Sequence, residues 1–161
     1  MFFVEEKSSS VPVQTQKLLE RIAVLLKVNL QDLLMESADP QETAAYWRAE
    51  MEGGLADAKD AVARALAQER QLERRLQTAQ TSIAKWDDKV DAALQAGDED
   101  RARAALNRKM TYEQVAQDLQ EKLDLHRQVT AKMKASVSAL QEKAQDLTGL
   151  VRPVRSRSKS S

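Results

Sequence analysis

Residues 86–109 read WDDKVDAALQAGDEDRARAALNRK, two alanine-rich helical stretches joined at Ala96-Gly97-Asp98. Gly97 is free to take the left-handed conformation that closes a helix, and Asp98 is a good cap for the next one. Glu99 and Asp100 then fall in a first turn, where the helix dipole favours negative charge. The stretch therefore predicts two helices meeting at a tight turn, Gly97-Asp98.

On the N-terminal side, apolar residues recur at alternating spacings of four and three: Met51, Leu55, Ala58, Val62, Ala65, Leu72, Leu76, Ala79, Ile83, Trp86, Val90 and Ala93, with Glu69 filling one gap. The C-terminal side repeats the pattern from Ala102 through Tyr112, Leu119, Leu123, His126, Met133 and Leu140 to Leu147. A 3.5-residue repeat keeps one stripe of a helix facing a partner, which is the seam of a left-handed coiled coil. Folding the chain back at Gly97 pairs Ala93 with Ala102, Leu76 with Leu119, Leu72 with Leu123 and Leu55 with Leu140. The centre of that pairing lies between Gly97 and Asp98, so the register and the turn agree. The fold class expected is all-α, a long antiparallel coiled-coil hairpin over residues 40–147 preceded by a short amphipathic helix.

That first helix is expected over residues 16–38. Leu18, Leu19, Ile22, Leu25, Leu26, Leu30 and Leu33, with Ala23 and Leu34, lie in an arc of roughly 180° at 100° per residue, with Asn29 as a polar intruder. Asp39-Pro40 ends it, because proline disfavours helix in the residue before it and suits the start of the next. Residues 1–15, with three consecutive serines and Pro12, read as a flexible arm. Residues 148–161 follow Thr148-Gly149 and read as a basic, Ser-rich, disordered tail.

Composition narrows the function. Twenty-five basic residues balance twenty-five acidic ones, so attraction to polyanions must be local. There is no cysteine, which suits a reducing compartment, and no apolar run approaches the ~18 residues of a membrane span. His126 is the single histidine; no glycine-rich phosphate loop or metal-ligand spacing occurs. No catalysis, metal or cofactor is expected.

The segment RIAVLLKVNLQDLLMESADP, residues 21–40, resembles the N-terminal region of the phage shock protein A family, which includes the vesicle-inducing protein in plastids. ARALAQERQLERRL and the Trp86 segment are similar to that family's hairpin and hairpin turn. Together they cover most of the chain. The sequence carries about fifteen residues more before the first helix, and it stops after the third helix, where the family continues. The resemblance implies a bacterial or plastid member of the ESCRT-III superfamily. Such a protein would be peripheral on the inner face of the membrane and cytoplasmic, self-assembling, and active in envelope stress or membrane remodelling. It also implies that the first helix meets anionic lipid, and that the hairpin pairs with itself or with longer family members. An AAA+ transcription activator is a further partner the family provides, so a soluble regulatory role without membrane contact stands as the alternative.

From residues alone, the first helix suits either a bilayer interface or packing on a hairpin. The basic tail, Arg152, Arg155, Arg157 and Lys159, reads either as solvated or as a contact for anionic lipid. Nucleic acid is the less expected partner. In the seam, Glu69 is expected opposite His126 and Trp86 opposite Lys109, two pairs that would fix the hairpin register. Off-seam Leu66, Leu94, Leu106, Met110, Val115 and Val129 suggest a second contact surface.

Overall fold

The computed structural model describes the backbone of residues 12–159 and the side chains of residues 12–151. Every regular element in it is helical: α1 (Val13–Lys27), α2 (Leu30–Glu36), α3 (Pro40–Gln95) and α4 (Glu99–Lys159). α3 and α4 form the antiparallel hairpin. Their packing divides into two compact units, residues 1–64 with 129–161 and residues 65–128.

The turn closes as its residues dictate. Gly97 has φ +73°, its N–H donates to Leu94 O at 3.1 Å, and Asp98 N–H donates to Ala93 O at 2.9 Å. This is the six-to-one and five-to-two pair of bonds that ends a helix on a left-handed glycine. Asp98 Oδ1 then accepts from Arg101 N–H at 3.1 Å, capping α4. At the other end of α3, Asp39 Oδ1 accepts from Glu42 N–H at 3.3 Å, and Pro40 supplies a first-turn residue that needs no N–H partner.

In the unit of residues 65–128, Leu76, Ala79, Leu119 and Leu123 form a core against which Leu72 and Ala116 pack, the pairing the seam predicts. In the other unit, Met51, Ala58, Leu140, Leu147 and Ala44 share a core with Ile22, Leu25 and Leu30. Leu55 and Ala144 pack against it.

Three boundaries differ from expectation. The chain is helical from Val13, inside the expected arm 1–15, because Pro12 sits just before the helix and its carbonyl accepts from Gln16 N–H. The expected helix 16–38 is two helices, broken at Val28-Asn29, where both residues are extended. Asn29 is the cause: its Oδ1 accepts from Asp32 N–H at 3.1 Å and caps α2. Finally, α4 runs through Thr148-Gly149 to Lys159 instead of stopping there. One glycine inside a helix costs only about 1 kcal/mol relative to alanine, and Leu147, two residues before it, is fully buried.

Candidate membrane-binding helix and its seat on the hairpin

α1 is amphipathic, and its apolar face is covered. Ile22 and Leu25 are 1% and 4% exposed, Leu30 of α2 is buried with them, and Leu18 and Leu26 pack against the same cluster. Leu19 and Leu33 are half-buried. All seven predicted membrane-contact residues therefore face away from solvent wholly or in part. At about 1.5 to 3 kcal/mol for each large aliphatic side chain fully buried, Ile22 and Leu25 alone contribute roughly 3 to 6 kcal/mol of gross apolar stabilisation to this docking. Lys17, Glu20, Arg21 and Lys27 lie on the exposed side.

The seat on α3 is Gly53-Gly54. Two adjacent glycines inside a long helix cost about 2 kcal/mol relative to alanine, so a packing reason is expected. A Cβ on Gly53 would stand 3.2 Å from Arg21 Nη2, and one on Gly54 would stand 3.4 Å from both Leu25 Cδ1 and Leu140 Cδ2. At Gly53 the added carbon would be tight against the end of Arg21, while at Gly54 it would make ordinary contact, so there only side chains larger than alanine would crowd α1. Beside the glycines Arg21 Nη1 donates to Asp57 Oδ2 at 2.9 Å. That pair is about half exposed and worth at most about 1 kcal/mol.

The break between α1 and α2 leaves carbonyls without helical partners, and α4 supplies one. Lys143 Nζ donates to Leu26 O at 2.6 Å and also to Val28 O. A cation at a helix C-terminus meets both the free carbonyls and the negative end of the dipole. Burial pulls the Lys143 ammonium below the usual lysine range, an effect partly offset by Asp146.

The predicted register residues sit in the other unit, where each makes polar contacts of its own. His126 Nε2 is 3.0 Å from Gln68 Oε1, one position away from Glu69. Glu69 Oε1 is 3.5 Å from Arg127 Nε, while Arg127 Nη2 donates to Glu73 at 2.9 Å. Glu69 is only 13% exposed, and its Oε2 is buried without a hydrogen bond. The cations over Trp86 are Lys89, 4.1 Å from the ring centroid, and Arg108, at 5.8 Å. Lys109 Nζ donates to Asp87 Oδ1 at 2.9 Å, and this bond together with the carboxylate's charge raises its pKa above the ordinary lysine value. A lysine has reach enough to choose a carboxylate over a ring face, and a side chain three residues along the same helix covers the ring instead.

Of the off-seam apolar residues, Leu94, Leu106, Met110 and Val115 are exposed, whereas Leu66 and Val129 are half-buried. The side chains of Arg152, Arg155, Arg157 and Lys159 lie outside those described. Lys143, Gly53, Gly54 and Asp57 are the site residues that the seam pattern passes over. Gly53-Gly54 was the available signal, a pair of helix-weakening residues inside a strongly helical stretch. Lys143, by contrast, is one charged residue among many.

No helix among the described residues is long and apolar enough to cross a membrane. Similar proteins include the membrane-associated protein Vipp1 of Nostoc punctiforme, 33% identical over 78% of this chain and 49% of its own length. The phage shock protein A homolog of Deinococcus radiodurans is 30% identical over 80% of this chain and 57% of its own length. The membrane-associated chloroplastic VIPP1 of Arabidopsis thaliana is 30% identical over 82% of this chain and 40% of its own. The chain thus spans about half the length of the curated relatives it matches. With residues 17–161 matching the family as a whole, and the helix, hairpin and turn in the order that the resemblance requires, the chain belongs to the PspA/IM30 family.

Proposed function

We propose that this chain is a peripheral membrane protein of envelope-stress response or membrane remodelling, which touches an anionic bilayer through the apolar face of α1 and assembles through its hairpin. The observation that carries the reading is a leucine-rich face on a separate N-terminal helix, in a family whose relatives are named as membrane-associated. Such a helix lies in the headgroup region with its leucines down and its charged side in water, as Lys17 and Lys27 allow. Exposed Leu94, Leu106, Met110 and Val115 supply an apolar surface for a second hairpin, of this chain or of a longer relative.

Flotation with vesicles of phosphatidylglycerol and phosphatidylethanolamine tests the lipid contact. Ile22→Glu and Leu19→Glu each place a charge in the apolar arc and are expected to leave the protein at the bottom of the gradient, while circular dichroism shows helicity kept. Leu19 lies outside the buried core, so its substitution separates lipid contact from folding. The alternative, a soluble regulator acting through the hairpin, draws support from the covered face of α1. It is favoured if neither the parent nor any variant floats.

A further inference from the structure

We propose that the docked, broken α1–α2 segment is an autoinhibited state, which opens by leaving its glycine seat and straightening into one helix when it meets lipid. The inference rests on the reading of α1 as the membrane-binding helix. The same side chains cannot serve two surfaces at once: Ile22 and Leu25 are 1% and 4% exposed against α3 and α4, and both belong to the arc that a bilayer takes. Hairpin and bilayer therefore compete for one face.

The hydrogen bonds at the break show how the change occurs without leaving a polar group unsatisfied. In the docked state Leu26 O and Val28 O are held by Lys143, and Asp32 N–H is held by Asn29 Oδ1. In a continuous helix the partner of Leu26 O is the N–H of Leu30, and the partner of Val28 O is the N–H of Asp32. Withdrawal of Lys143 frees both carbonyls for these bonds, and the Asn29 cap becomes dispensable. The straightened segment, residues 13–36, then carries Leu18, Leu19, Ile22, Leu25, Leu26, Leu30 and Leu33 on one side. The broken segment spreads them over two helices with different axes. Because apolar burial on the hairpin and in lipid are alike in kind, the smaller polar contacts of Lys143, Asn29 and the Arg21–Asp57 pair set the balance.

Two sets of variants test this by flotation with the same vesicles. Lys143→Met keeps the stem and removes the donor, and Asn29→Ala removes the cap that favours the break. Each is expected to tighten vesicle binding by about tenfold, through the larger fraction of open molecules. Arg21→Cys with Asp57→Cys, joined by a short bismaleimide in a chain that has no other cysteine, holds α1 on α3. The joined protein is expected to lose flotation, while the unjoined double variant floats. Equal flotation of the joined and unjoined forms, or unchanged binding by both Lys143→Met and Asn29→Ala, overturns the latch. Leu19→Glu distinguishes the two ideas. If it abolishes binding while the joined protein floats, the latch falls and the membrane reading stands; if Leu19→Glu floats as well, both fall.

Discussion

Gly54 offers a graded perturbation of the α1 seat. Alanine there gains roughly 1 kcal/mol of helix propensity. Its methyl would lie 3.4 Å from Leu25 Cδ1 and Leu140 Cδ2, ordinary van der Waals contact against flexible side-chain ends. Gly54→Ala should therefore stabilise the protein by about 1 kcal/mol, a rise in Tm of about 2 to 4 °C for a chain of this size. Valine adds two further carbons beyond the Cβ, into space those leucines already fill, at about 1 to 3 kcal/mol for overpacking. The cost falls on the contact with α1, since α1 is the lighter body and is tied only by short connections. Hydrogen exchange of the α1 amides, read beside thermal melts, is the assay: protection of α1 should rise or hold in Gly54→Ala and fall by about tenfold or more in Gly54→Val. Amides of residues 65–128 should exchange as in the parent in both. Unchanged α1 protection in Gly54→Val would refute the argument that the glycine is there for α1.

Other outcomes follow from the polar contacts. Replacing Glu69 by leucine removes a buried oxygen without a hydrogen bond from the seam, and Tm should rise by an amount corresponding to about 1 kcal/mol; a fall would mean that the contact with Arg127 outweighs the desolvation. Lys109 has a raised folded pKa, chiefly from its bond to Asp87, so its contribution is fully present below the ordinary value near ~10.4 and is lost as pH rises through the folded value. The Tm deficit of Lys109→Met should accordingly be constant from neutral to mildly alkaline pH and shrink above that. For Lys143 burial lowers the folded value, so between it and ~10.4 the unfolded chain binds more protons and stability rises with pH. Lys143→Met should remove that alkaline gain, as melts over the same range will show.

Local chemistry made the turn legible: Gly97 and Asp98 close and open helices by bonds to their own neighbours, and the alternating seam on either side fixes which residues meet. The core pairs Leu76–Leu119 and Leu72–Leu123 follow from spacing alone. The break at Asn29 was not legible, because a single asparagine within a continuous apolar arc reads as a tolerated polar residue. What makes the break stable is Lys143, more than a hundred residues away. Trp86 and Lys109 illustrate the limit of seam arithmetic. It places Cα positions opposite one another, while a long charged side chain goes to the carboxylate it can reach. The continuation of α4 past Gly149 escaped for a different reason, since a single glycine is a weak stop where neighbouring residues stay helical.

The contact of α1 with lipid is tested most directly by single cysteines carrying a polarity-sensitive fluorophore, one at Leu26 on the apolar face and one at Glu20 on the exposed face. On addition of phosphatidylglycerol-containing vesicles, the account predicts that the label at residue 26 reports an apolar environment and is quenched by lipid-borne quenchers, while the label at residue 20 remains accessible to aqueous iodide. Labels at both positions that stay in water in the presence of bound vesicles, or that respond identically, would contradict it.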